Sequence, residues 1–200
     1  MTHLLRSAIL TLLLAVTLPA ADPFSFTTPP GWRPERIPFP LGFAPELKYR
    51  GFEELRFGPG MFKPGTDTYW TYVFFWWIEG DQAVSQAMLE KDLLNYYRGL
   101  SRAVGGSRGI PIDPAKITVE IHAAKATDPA KTPHPPAFTG ALTTYDAFVT
   151  GKLVRLNFEV SRHHFKAADR TWLFFCVSPQ KQSADVWNTM RGIRDSFTVK

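Results

Sequence analysis

From Tyr69 to Ile78 every position is aromatic or β-branched, a composition suited to a pleated, buried surface. Side chains alternate along a strand, so Trp70, Tyr72, Phe74, Trp76 and Ile78 point one way and Tyr69, Thr71, Val73, Phe75 and Trp77 the other. Both sets are apolar, which predicts a central strand covered on both faces. Turn chemistry at Lys63-Pro64-Gly65 and Glu79-Gly80-Asp81 favours a strand over a helix of the same length. Thr171 to Val177 has the same two-faced character. Lys116 to Lys125 and Leu153 to Ser161 alternate instead, with Ile117, Val119, Ile121 and Ala123 on one inner face and Val154, Leu156, Phe158 and Val160 on the other. Phe138 to Thr150 reads as extended and turns through Gly151 into the Leu153 strand, a hairpin.

Helical periodicity occurs twice. Leu89, Leu93, Tyr96 or Tyr97, Leu100 and Val104 form a stripe at spacings of three and four, with Asp81 placed to cap its start and Gly105-Gly106 to end it. Val186, Met190, Ile193 and Phe197 form the second stripe, behind a Ser183 cap. Strands, helix, strands, helix predict an α+β domain: a largely antiparallel twisted sheet of about six to seven strands packed by two main helices.

Residues 29–64 break the pattern. Prolines at 29, 30, 34, 38, 40, 45, 59 and 64 remove donors and fix φ, so long regular elements are not expected there. Trp32, Phe39, Leu41, Phe43, Phe52, Leu55, Phe57 and Phe62 nevertheless need burial. The expectation is a packed, irregular segment covering part of the sheet, with one strand near Gly51 to Phe57. Ordered loops of this length often carry function, which makes the segment a candidate lip of a binding site.

Two hundred residues suit a single globular domain. Arg6, the apolar run from Ala8 to Leu18 and the small residues at Ala20-Ala21 have the order of a secretory signal peptide. The run is too short to span a bilayer. The predicted organisation is a leader over 1–21 and one domain over 22–200, secreted or periplasmic. Removal of the leader takes away Arg6 and no acid, so the formal charge falls from +5 to +4. That mixed-sign excess is no nucleic-acid footprint. Cys176 is the only cysteine, so the domain has no internal disulfide, and its apolar strand makes it a buried hydrophobe rather than a nucleophile.

Three stretches resemble the Mog1/PsbP-like fold. Phe24-Ser25-Phe26-Thr27-Thr28-Pro29-Pro30-Gly31-Trp32 looks like its opening strand and Gly-Trp turn. Tyr145 to Val160 followed by Trp172 to Val177 looks like its closing meander. Trp187 to Phe197, with Ile193-Arg194-Asp195-Ser196-Phe197, is similar to its terminal helix and Ile-x-x-Ser-Phe ending. The resemblance spans most of the mature chain and implies an architecture, not a catalytic residue, because members are mostly binding or assembly proteins.

Histidines give one hint of chemistry. Glu120 and His122 share the outward face of their strand, and Glu159 and His163 that of theirs; side by side, the four would suit an acid–base or zinc site. No metal-ligand spacing accompanies them, and the expectation is no bound metal and no cofactor. Aromatic residues give the other hint: an exposed Trp70 or Trp77 could stack on a sugar, while Arg155 is among the basic residues, with Arg98, Arg102, Arg108, Arg162, Lys166 and Arg170, that could form a patch for an acidic partner. No G-x-S-x-G elbow or P-loop is present. The leading expectation is an exported, non-enzymatic binding or assembly domain at the bacterial cell envelope, its partner an unidentified protein or small ligand, with no nucleic acid and no membrane span in the mature chain. The alternatives are a small hydrolase or metal-dependent enzyme using the His/Glu face, and a carbohydrate-binding module using exposed tryptophans.

Overall fold

The computed structural model describes residues 22–125 and 132–200. The leader expected over residues 1–21 lies outside the described residues, as does part of the proline-rich connection before Pro136. The elements are β1 (Phe24–Ser25), β2 (Arg33–Pro38), β3 (Gly51–Phe57), β4 (Tyr72–Glu79), α1 (Gln86–Ser107), β5 (Thr118–Ala123), β6 (Pro136–Tyr145), β7 (Leu153–Phe165), β8 (Arg170–Ser178), α2 (Asp185–Asp195) and β9 (Thr198–Val199). Seven strands form one sheet in the order β2-β3-β4-β8-β7-β6-β5, every neighbouring pair antiparallel. β1 and β9 make a separate two-stranded ribbon. This is an α+β fold.

β4 lies inside the sheet between β3 and β8, and its side chains from Tyr72 to Ile78 are all buried. Parity divides them between two layers. Tyr72, Phe74, Trp76 and Ile78 join the core under α1, where the Phe74 and Phe175 rings stack at 4.2 Å. Val73 and Trp77 join the layer under α2 and the β1–β9 ribbon, with Trp172, Phe174, Cys176 and Phe197. Cys176 is fully buried, and desolvation pushes its thiol well above the ordinary range.

Five local expectations need correction. The central strand begins at Tyr72 rather than Tyr69, because Trp70 adopts φ 48° and donates its backbone N–H to Met61 O at 3.1 Å, which makes residues before Thr71 a turn. β2 was unforeseen because Pro34 and Pro38 argue against a strand. It is an edge strand, and since Phe39 N donates to Gly51 O, alternation turns the two missing donors away from β3. Ser85, not Asp81, caps α1 by accepting from Met88 N, while Asp81 pairs with Arg162 at 2.9 Å. Ala184, not Ser183, is the N-cap of α2, with no side-chain hydrogen bond. Finally, β6 stops at Tyr145. The Asp146 carboxylate accepts from Val149 N, Thr150 N and the Tyr69 hydroxyl, a local alternative to the ladder.

Candidate functional site

On the α1 side, at the β2–β3 end of the sheet, the packing leaves an apolar cavity of about 260 Å³. Its floor follows from strand parity: Ile37 of β2 and Leu55 and Phe57 of β3 point to the same face. Its wall follows from helical spacing, with Tyr96, Leu100 and Val104 four residues apart on α1. The roof is built by irregular chain. Phe43, Met61 and Phe62 come from the proline-rich segment, Trp70 from the turn before β4 and Phe148 from the turn after β6. Phe62 and Trp70 both pack on the Phe148 ring, at 5.4 and 5.8 Å. Roof and wall meet at Gly99 of α1, where a Cβ would lie 1.9 Å from Phe43 O; only a glycine lets the helix backbone come this close.

A buried carboxyl lies beside this cavity. Glu53 is fully inaccessible and accepts hydrogen bonds from Tyr96 Oη at 2.7 Å and Trp76 Nε1 at 3.1 Å. Burial pushes its pKa up to about 8, the two hydrogen bonds oppose that rise, and the Glu35 carboxylate adds to it. At neutral pH the group is largely protonated. A second buried pair, Tyr72 Oη and Tyr97 Oη at 2.5 Å, completes a polar cluster behind an otherwise apolar surface. Polar satisfaction of this kind fixes α1 against the sheet while leaving the cavity wall greasy.

The residues singled out from the sequence are distributed differently from expectation. Glu120, His122 and Arg155 do come together: with Thr139, Asn157 and Lys181 they line an open groove of about 440 Å³ on the opposite face, where Arg155 Nη2 lies 3.1 Å from Glu120 Oε2. Glu159 and His163 do not join them. His122 and Glu159 both register on Thr139 of β6, two strand spacings or about 10 Å apart. Glu159 is buried under α2 and held by Arg191 at 2.6 Å and Arg194 at 3.4 Å. His163 lies four residues further along β7, about 13 Å on, with its ring 4.4 Å from Phe165; burial lowers its pKa. Among the described residues no group of three or more His, Cys, Asp or Glu side chains is placed to hold a metal ion. Trp77 is buried between Phe24, Phe165 and Phe197 and offers no stacking surface. Trp70 is also buried, yet it lines the apolar cavity.

Sequence reading placed a possible lip in residues 29–64, and Phe43, Met61 and Phe62 of the roof belong to it or to its margin. Glu53 is absent from the residues the sequence points to, and Tyr96 stands there only as a member of the apolar stripe of α1. The available signal was parity: in Gly51-Phe52-Glu53-Glu54-Leu55-Arg56-Phe57, Glu53 shares the inner face of Leu55 and Phe57, a carboxyl on a dry surface.

No protein-family model matches the chain, and no curated protein matches it. Among solved structures it is similar to the Ran-binding protein Mog1p of Saccharomyces cerevisiae, at 10% identity and a TM-score of 0.38 over 88% of this chain and 90% of that one. It is also similar to LpqN, involved in cell envelope biogenesis of Mycobacterium tuberculosis, at 10% identity and a TM-score of 0.36 over 92% of this chain and 87% of that one. The first bears the name of the fold that the sequence resembles. At this distance neither transfers a ligand, a partner or a residue to the chain.

Proposed function

We propose that the protein is an exported, non-enzymatic binding domain of the cell envelope that takes a small, largely apolar ligand into the cavity between α1 and the β2–β3–β4 part of the sheet. The observation that carries the reading is the cavity itself. Concave, aromatic-rich sites with few polar groups are the usual form of small-molecule sites, and this one holds about 260 Å³. A 150 Å³ apolar cavity takes benzene, so the space here suits about ten non-hydrogen atoms. At roughly 0.5 kcal/mol per atom such a ligand gains about 5 kcal/mol, a Kd on the order of 0.1 mM.

Export is supported by the order of charge, apolar run and small residues over residues 1–21. N-terminal sequencing of secreted protein is expected to begin near Asp22. Binding is favoured over turnover because Glu159 is engaged by two arginines and lies apart from Glu120 and His122. Thermal melting tests the site: millimolar octan-1-ol is expected to raise Tm of the wild type and to leave Leu100→Trp, which fills the cavity from α1, unmoved. No shift in the wild type, or an equal shift in the variant, contradicts the proposal.

A further inference from the structure

Charge at the cavity mouth narrows the ligand class. The Arg33 guanidinium sits over the Phe62 ring, 5.2 Å from its centroid, and Arg108 donates from Nη1 to the Phe148 carbonyl. Phe62 and Phe148 line the cavity and pack on each other, so each cation, itself outside the lining, is fastened to one of two adjoining roof residues. Both are exposed, and neither has a carboxylate within ion-pair distance among the described residues, whereas Arg36, Arg155 and Arg162 each do. A guanidinium stacked on a ring keeps its N–H fork for an anion, and Arg108 spends only one of its five donors on Phe148.

Two features oppose an anion, and neither outweighs the pair. Carboxylates are the first: Glu35 lines the same cavity on the same strand face as Arg33, and Asp146 lies in the Phe148 turn but is spent on Val149 N, Thr150 N and the Tyr69 hydroxyl. The C-terminus of α1 is also near, with its negative dipole end, but its last carbonyls are engaged: Gly105 O accepts from Arg108 N and Ile110 N, Gly106 O from Gly109 N, and Val104 O from the Ser107 hydroxyl.

We infer that the ligand is a hydrophobic carboxylate, its alkyl or aryl body in the cavity and its anionic head on Arg33 and Arg108. The inference rests on the cavity being the binding site, as proposed above. A neutral ligand would leave both guanidiniums without a role, and an amine would meet two like charges for one carboxylate.

Calorimetric titration with octanoate, octan-1-ol and octylamine at pH 7 and low salt separates the possibilities. Octanoate is expected to bind about tenfold more tightly than octanol, from two charge-assisted contacts at an exposed mouth, and octylamine more weakly than either. In the double variant Arg33→Gln/Arg108→Gln the ratio of octanoate to octanol affinity is expected to fall to within about twofold, the ratio being read so that any change in the roof common to both compounds cancels. Glu35→Gln is expected to tighten octanoate. Equal binding of octanoate and octanol, tighter binding of octylamine, or a preference that survives the double variant overturns the inference while leaving the cavity as a site. Failure of all three compounds to bind the wild type overturns the cavity reading and the inference together.

Discussion

Tyr96 of α1 donates its hydroxyl to a Glu53 carboxyl oxygen of β3 across 2.7 Å. This bond ties the long helix to the sheet directly behind the cavity wall. Trp76 of β4 donates to the other oxygen, so one buried carboxyl joins three elements. Burial favours the protonated carboxyl over its charged form, and among the described residues no cation is paired with it.

A pH dependence follows. The Glu53 pKa is about 8 in the fold against 4.5 ordinarily. Between those values the folded protein holds a proton that the unfolded chain has released. Stability therefore falls as pH rises through the window, and the loss is complete above about 8. Glu53→Gln keeps the shape and an acceptor without the ionisation. Urea unfolding is expected to give similar stabilities for the two proteins at pH 5 and an advantage for the variant at pH 9 on the order of a few kcal/mol. Parallel pH profiles contradict the assignment. His163, whose lowered pKa costs stability as pH falls below its ordinary value, contributes equally to both proteins and cancels.

Gly99 sets the height of the cavity roof. A methyl group there meets Phe43 O at 1.9 Å, so either α1 or the covering segment must move. Gly99→Ala is expected to cost about 1–3 kcal/mol, although alanine is the better helix former by about 1 kcal/mol. Octanol binding is expected to weaken with it. A variant that melts and binds like the wild type places the roof elsewhere.

The two carboxylates that the sequence grouped together behave differently. Glu159 is buried against Arg194, itself only 2% exposed, and removing it leaves a buried guanidinium with only Asp195 beside it. Glu159→Ala is expected to lose about 3–5 kcal/mol. Glu120 meets Arg155 on the surface, both more than half exposed, and Glu120→Ala is expected to change stability by less than about 1 kcal/mol. Denaturant midpoints of the two variants compare them directly; equal losses contradict the burial argument.

Period-two alternation made β5 and β7 legible, because burial on one face acts on every second side chain, and the doubly apolar runs of β4 and β8 located the middle of the sheet. The helical stripes were equally plain. Boundaries were less so, since Ser85 and Asp81 are both good caps and only tertiary contact with Arg162 takes Asp81 away. The site was the least legible part. Its roof comes from Phe43, Trp70 and Phe148, residues far apart in sequence that lie on irregular backbone and obey no period. Glu53 was hidden for another reason: beside Glu54, which pairs with Arg36 and Arg56 on the other face, it reads as half of a solvated acidic pair until the register of β3 and β4 assigns it inward.

Methyl-resolved NMR during titration with octan-1-ol tests the central claim most directly. The cavity account predicts shifts confined to Ile37, Leu55, Met61, Leu100 and Val104, with Val186, Met190 and Ile193 under α2 unmoved. Shifts centred on the α2 layer, or none at all at millimolar octanol, would contradict it.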